Sequence, residues 1–309
     1  MIDNVAGRAP NVSVLVSVPQ SIRRKVMFVA LLLVGVVWWW HWITTLLTLA
    51  VSNEQYSHAF LVLPVSLSLA LLEGRAKNVK PAWSPFPGLV IILISLAALL
   101  ALQFTGSVGE RALVISIASL VVYWIGLVTL FFGVSVVRQF LFPLIFLFVI
   151  VPVPQVLVDK CIVALQVGST EATFTLFRWS GVPVLKSGFV LTFSTLDIEV
   201  AKQCSGIRSS IILLISSLVL AHLYLRSYWG KILLVLAVVP ISIAKNALRI
   251  FVLSMLGMKV NPAFLYGRLH RNGGVVFFLL ALAGLAAVIK AVNRCEKWTT
   301  RPSSVPPSV

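Results

Sequence analysis

Residues 87–105 read PGLVIILISLAALLALQFT, an apolar run without a single charged side chain. A helix needs about 20 such residues to cross the hydrocarbon core of a bilayer, and this run has that length. The rest of the chain has the same character, because 59% of its 309 residues are hydrophobic and only 11% are charged. An average soluble protein has roughly 25% charged residues. The sequence therefore predicts an all-α integral membrane protein.

Similar apolar runs recur along the chain and predict about eight transmembrane helices. The fifth run is short for a span and is bounded by Pro152 and Pro154, so a tilted, an extended and a re-entrant segment remain as alternatives. The predicted spans cover residues 26–51, 58–73, 87–105, 112–134, 139–153, 207–225, 232–257 and 274–290.

The net charge of +16 does not indicate nucleic-acid binding, because the basic residues form short clusters between apolar runs rather than one patch. These clusters fall in alternate loops, and the first outer loop, residues 52–57, contains none. The positive-inside rule then places both termini in the cytoplasm. We predict a cytoplasmic tail over residues 1–25, a transmembrane domain over residues 26–293 and a disordered cytoplasmic tail over residues 294–309.

This orientation places residues 155–206 outside the membrane as a small extracytoplasmic segment between spans five and six. Its first half, from Gln155 to Ser180, mixes apolar and charged residues as an interfacial helix would. In its second half, apolar and charged residues alternate, which predicts a β-hairpin with a turn at residues 194–195. The alternating residues are Leu196, Asp197, Ile198, Glu199 and Val200.

Cys204 lies where this outer segment meets the sixth span, in the run QCSGIRS. A thiol at a helix N-terminus feels the positive end of the helix dipole, and basic neighbours such as Arg208 also favour the thiolate. Ser205 is a candidate N-cap, and Gly206 gives the backbone local freedom. A buried structural cysteine is the plainer alternative, but polar neighbours are unusual in a core. We predict that Cys204 is a nucleophile.

Arg249 lies within the seventh span, about 12 Å from its predicted outer end. An arginine near the centre of a membrane helix costs roughly 2.5–3.5 kcal/mol, so packing alone does not account for it. Asn246 lies on the same helix face one turn earlier, and Lys245 would repel Arg249 unless an anion lies between them. A snorkelling side chain is the alternative, but it is less common this far from a helix end.

His270 lies at the outer start of the eighth span, on the same outer side of the membrane as Cys204 and Arg249. This shared position favours a role for His270 as acid and base. An ordinary interfacial histidine is the alternative. His58, at the outer start of the second span, is the rival for the same role. His41 and His222 are expected to lie in the membrane or at its interface without an acidic partner.

The three cysteines contain no Cys-x-x-Cys pair, and the histidines do not cluster with them. The sequence therefore predicts neither a zinc site nor another cofactor.

Three short motifs, taken in this order and at the outer face, resemble the exosortase/archaeosortase family. The resemblance extends over about residues 30–290 and includes the Ser57-His58 pair and the Pro152-Val153-Pro154 element. The motifs are Cys204-Ser205-Gly206-Ile207-Arg208-Ser209, Asn246-Ala247-Leu248-Arg249-Ile250, and His270 ahead of Gly273-Gly274.

The resemblance implies a membrane-embedded cysteine protease or transpeptidase of the cytoplasmic (inner) membrane. Its substrates would be exported proteins with a C-terminal sorting signal, made of a PEP-CTERM-like motif, a transmembrane helix and a basic tail. Cys204 would be the nucleophile, His270 the acid and base, and Arg249 the stabiliser of the oxyanion. A thioester acyl-enzyme would be resolved by water or by an acceptor amine or lipid.

Two other classes of function remain open from the residues alone. A transporter or flippase would use Arg249 and Lys245 to hold an anionic, lipid-linked substrate. A non-catalytic subunit of a polysaccharide export machine would tolerate changes at all three proposed catalytic positions.

Overall fold

The computed structural model describes residues 20–76, 83–106, 108–194, 196–201, 206–261 and 274–299. Short 3-10 helices cover Glu54–Tyr56 and Leu147–Ile150, and three short strands follow the eighth α-helix. The α-helices are α1 (Gln20–Trp38), α2 (Trp40–Ser52), α3 (Ala59–Ala76), α4 (Pro85–Thr105), α5 (Glu110–Phe132), α6 (Val134–Gln139), α7 (Leu141–Phe146), α8 (Gln155–Trp179), α9 (Ile207–Tyr224), α10 (Tyr228–Lys259) and α11 (Gly274–Thr299).

Within the described residues, six helices are long and apolar enough to cross a membrane, namely α3, α4, α5, α9, α10 and α11. Two bent helix pairs bring the number to eight if each pair counts as one span. The prediction of an all-α integral membrane protein is confirmed. The last helix, α11, continues to Thr299, past residue 293, where the transmembrane domain was predicted to end.

The first predicted span is two helices, because the chain bends by 68° between α1 and α2. Trp39 lies at the bend and is buried, whereas Trp38 and Trp40 on either side of it are exposed. The indole nitrogen of Trp39 donates a hydrogen bond to Ser119 Oγ at 3.0 Å. Since this bond reaches into α5, the middle tryptophan ties the bend to the neighbouring helix.

The fifth predicted span is broken into short pieces. α7 passes into the second 3-10 helix, and Pro152 and Pro154 then turn the chain by 90° into α8. The Glu110 carboxylate at the start of α5 accepts the backbone N–H of Gln155, which satisfies one of the unpaired donors at the start of α8. This geometry is that of a broken span or a re-entrant segment, so a regular helix over 139–153 does not form.

α8 occupies the predicted position of the interfacial helix and packs along α10. One face of α8 is buried at helical spacing, and this face is mostly polar in its middle. Gly168 is part of the contact, since a Cβ there would lie 2.6 Å from the Ile243 side chain. The buried residues of α8 are Val158, Ile162, Gln166, Ser169, Thr170, Thr173 and Phe177.

The predicted hairpin forms as β2 (Val190–Thr192) and β3 (Asp197–Glu199), which pair antiparallel with Leu191 opposite Ile198. The predicted alternation is confirmed, because Asp197 and Glu199 are exposed while their neighbours are partly or fully buried. A further strand, β1 (Leu185–Ser187), extends the sheet in the order β1-β2-β3. The inner face of the sheet packs on Phe177 of α8 and Phe251 of α10.

Candidate functional site

A cavity of about 900 Å³ opens where the starts of α9 and α11 meet the middle of α10. The first outer loop and the first turns of α8 complete its walls. The sequence predicts all of these segments except the middle of α10 to lie at the outer face, and the structure brings them together. The side chains and backbone that line it include Asn53, Glu54, Asp159, Gly206, Arg208, Ser209, Lys245, Asn246, Arg249, Gly274 and Phe277.

Gly206 is the N-cap of α9, with φ = +71° in the left-handed region that favours glycine. This corrects the prediction that Ser205 is the N-cap. A Cβ on Gly206 would lie 3.3 Å from Asn246 Oδ1 and 3.6 Å from Lys245 Nζ. The absence of a side chain therefore lets the start of α9 lie directly against two polar side chains of α10.

The first turn of α9 is held to Gly206 by side-chain hydrogen bonds. Ser209 Oγ and Ser210 Oγ each donate to the Gly206 carbonyl at 2.9 Å. Lys245 Nζ of α10 donates in turn to Ser209 Oγ. The start of α9 and the middle of α10 are thus connected through a serine hydroxyl at the cavity wall.

Asn246 is buried, with 1% of its surface exposed, and its amide Nδ2 donates to Ser169 Oγ of α8 at 3.0 Å. A second polar residue of α8, Gln166, donates from Nε2 to the Val200 carbonyl at 2.8 Å. Val200 directly follows β3. Through Gln166 and Ser169, α8 therefore holds both the end of the sheet and Asn246, the residue beside Gly206. Sequence reasoning missed Gln166 and Ser169, although polar residues at helical spacing on an apolar helix face would have indicated them.

Arg249 is partly exposed and lines the cavity one helical turn beyond Lys245. The prediction that Arg249 and Asn246 share one face of this helix is confirmed, because both residues line the same cavity. The lysine, which sequence reasoning did not include among the catalytic candidates, is the more deeply buried of the two cations.

Arg208 is exposed at the rim of the cavity, where its guanidinium pairs with the Glu54 carboxylate at 3.0 Å. Glu54 belongs to the 3-10 helix that starts at this loop, and Asn53 Oδ1 accepts the N–H of Gln55 there. The pair therefore links the first outer loop to the start of α9, and with two exposed partners it contributes little to stability.

His58 is buried, and its Nδ1 lies 3.0 Å from the Gln55 carbonyl. A carbonyl only accepts, so His58 Nδ1 is the donor in this hydrogen bond. Gln55 lines the cavity, whereas His58 does not belong to the described residues that line it. His58 therefore lies behind the cavity wall.

Three of the predicted site residues, Cys204, Ser205 and His270, lie outside the described residues. The described residues nearest to them in sequence are Gly206 and Gly274, and both line the cavity.

The prediction that His222 has no acidic partner is wrong. His222 Nε2 lies 2.7 Å from Glu73 Oε1, and its ring stacks on Phe142 with the ring centres 3.8 Å apart. This pair joins α3 to α9, sixteen residues or about 24 Å of helix away from Gly206. It belongs to the opposite end of the bundle from the cavity.

A family model described as transmembrane exosortase matches residues 39–287, which is well over half of the chain. The protein therefore belongs to the transmembrane exosortase family. No curated protein and no solved structure matches it.

Proposed function

We propose that this transmembrane exosortase is a cysteine transpeptidase that cleaves the C-terminal sorting signal of exported proteins at the outer face of the inner membrane. Cys204 is the nucleophile, His270 the acid and base, and Arg249 the stabiliser of the oxyanion. The substrate signal consists of a PEP-CTERM-like motif, a transmembrane helix and a basic tail.

The proposal is carried by the cavity, whose walls include Gly206, Arg249 and Gly274. Cys204 is two residues from Gly206 in sequence, and a chain of two residues spans at most about 7 Å. His270 is four residues from Gly274, a reach of about 14 Å. The sequence therefore ties Cys204 and His270 to two walls of the cavity that Arg249 also lines, which supports a joint role for the three residues.

The reaction begins when the Cys204 thiolate attacks the carbonyl carbon of the scissile peptide bond. The negative charge that develops on the carbonyl oxygen is balanced by the Arg249 guanidinium, which acts most strongly where water is scarce. The intermediate then collapses, the C–N bond breaks, and His270 gives a proton to the leaving amine. A thioester to Cys204 remains, and water or an acceptor amine releases the product and returns the thiol.

The substrate's own helix is accommodated by the bilayer beside α9, α10 and α11, whose outer starts and middle form the cavity. Docking in this way places the cleavage motif above the membrane at the cavity mouth. Both termini of the enzyme face the cytoplasm in this arrangement, as the distribution of basic residues predicts.

The test replaces Cys204 by alanine in cells that express an exported protein with the tripartite signal. Uncleaved substrate should then accumulate in membranes, and hydroxylamine should release no thioester-linked product. Cys161→Ala is the matched control, because Cys161 is an exposed cysteine on α8. Normal processing by the Cys204→Ala protein, with the same result for the control, would rule out Cys204 as the nucleophile.

The cationic wall of the cavity, Lys245 and Arg249, also fits the second candidate function, a transporter or flippase for an anionic lipid-linked substrate. This function predicts that Cys204→Ala retains activity while Lys245 and Arg249 variants lose it. The same set of variants therefore distinguishes the two functions.

A further inference from the structure

Lys245 is a buried ammonium group in the wall of the cavity, with 8% of the residue exposed. One of its three N–H donors binds Ser209 Oγ. Its charged neighbour one turn along α10 is Arg249, which is also a cation. Burial of a charge is costly unless a counter-charge compensates for it, so this position favours an anion.

The carboxylates of the described residues that line the cavity have other partners. Glu54 pairs with Arg208, and Asp159 accepts a hydrogen bond from Gln155 Nε2 at 3.1 Å. Within the described ranges, no ion pair joins a carboxylate to Lys245. Since none of the described carboxylates supplies a counter-charge to Lys245, a bound group is the source that this position favours.

The surroundings of Lys245 are suited to such a group. Its Nζ would lie 3.6 Å from a Cβ on Gly206, so the glycine leaves room at the ammonium. Gly206 caps α9 without a side chain, and the positive end of that helix faces the same cavity. The ammonium and the helix terminus together form an anion-binding subsite beside Arg249.

We propose that Lys245 is a specificity-determining residue that binds the carboxylate of an acidic side chain next to the scissile bond. This inference rests on the proposed function, since an unmodified peptide offers carboxylates as its anions. The substrate's C-terminal carboxylate follows the basic tail on the other side of the membrane, so the group is a Glu or Asp side chain. Lys245 holds that side chain, and Arg249 keeps the role at the reacting carbonyl that the proposed function gives it.

The test measures peptide binding to the full-length Cys204→Ala protein, in which no turnover occurs, in nanodiscs of phosphatidylcholine. The probes are terminally blocked Ala-Pro-Xaa-Pro-Ala peptides with Glu, Gln or Lys at Xaa. A hydrogen bond to a charged group corresponds to about 10-fold to 100-fold in affinity. We expect the Glu peptide to bind more tightly than the Gln peptide by that factor, and the Lys peptide to bind most weakly.

In the Lys245→Met variant the Glu and Gln peptides should bind equally. Methionine replaces the apolar stem of the lysine without its buried charge, so the melting temperature should not fall. Lys231→Met is the matched control, because Lys231 lies on the same helix, about 21 Å away along its axis, and should leave the discrimination intact. If the three peptides bind equally to the protein that still carries Lys245, the proposal is wrong. This outcome does not depend on whether the Lys245→Met variant folds.

A lipid phosphate is the other source of an anion. If phosphatidylglycerol in the nanodisc binds in a Lys245-dependent manner while the Glu and Gln peptides remain equal, the subsite belongs to a lipid and the proposal is wrong. The same peptides, extended by the substrate helix, are then given to the enzyme with Cys204 intact. Cleavage without discrimination contradicts the Lys245 assignment alone, whereas discrimination in binding without cleavage contradicts the proposed catalysis alone.

Discussion

The backbone of Gly206 lies in the left-handed region, and its missing side chain leaves room for Asn246. Gly206→Ala adds strain of about 1 kcal/mol and also displaces Asn246 Oδ1, which lies 3.3 Å from the new Cβ. Because small displacements at a reacting centre are costly, processing should fall on the order of 10-fold to 100-fold. A pulse-chase measurement of substrate cleavage in membranes checks this.

Gly188→Ala is the control for Gly206→Ala. Gly188 has φ = +60°, but a Cβ there would meet nothing within 4 Å. The two variants share the backbone strain, and only one of them disturbs the cavity. Equal losses of processing in both would show that strain alone, and not the contact with Asn246, accounts for the effect.

Arg249 is proposed to stabilise the oxyanion, so its loss should slow acylation rather than weaken substrate binding. Arg249→Gln is expected to reduce the single-turnover rate on the order of 100-fold to 1000-fold. Arg249→Lys keeps the charge without the planar fork of donors and should recover only part of the rate. Arg226→Gln serves as the control, because Arg226 is an exposed arginine in the loop between α9 and α10. A rate that is unchanged in Arg249→Gln would remove Arg249 from the mechanism.

At the scale of the helices, α8 supports the site through Ser169 and Gln166. Ser169→Ala removes a buried hydrogen-bond acceptor of the Asn246 amide, at a cost of about 1–3 kcal/mol. The melting temperature of the purified protein should fall accordingly. Ser68→Ala is the matched control, because Ser68 is exposed and donates to a carbonyl of its own helix. A melting temperature that falls equally in both variants would contradict the role given to the α8–α10 contact.

Sequence predicts well those helices and strands whose pattern of apolar and polar residues lies within the element itself. The helix of α9 was predicted over 207–225 and is found at Ile207–Tyr224, and the alternation before it formed the expected hairpin. The partner of His222 was missed because Glu73 is 149 positions away, and nothing in either local sequence specifies the contact. The bend at Trp39 was missed for the same reason, since Ser119 of a distant helix holds it.

At the scale of the whole molecule, the proposed orientation places Cys161 outside and Cys295 in the cytoplasm. Both are exposed on their helices, α8 and α11. In variants that retain one of the two and carry Cys204→Ala, a membrane-impermeant maleimide should label Cys161 in spheroplasts. Cys295 should be labelled only after permeabilisation. Labelling in the reverse pattern would mean that the cavity faces the cytoplasm.

The candidate site could be predicted in part. Gly206, Asn246 and Arg249 were named from the sequence, and the structure brings them to one cavity. Lys245 was named only as an anion-binding residue of the transporter alternative, and Ser169 was not named, because its importance depends on which helices are adjacent. His58 was included but is not among the described lining residues, whereas Gln55, whose carbonyl it contacts, lines the cavity.

The last wall of the cavity, Gly274–Phe278 of α11, comes after all the others in chain order. A ribosome therefore delivers the first loop, α8, α9 and α10 to the membrane before this wall exists. Until α11 inserts, Gly206, Lys245 and Arg249 lack the wall that Gly274 and Phe277 supply. The cavity is therefore complete only when the last of its helices is in place, so the proposed reaction site assembles late in the synthesis of the chain.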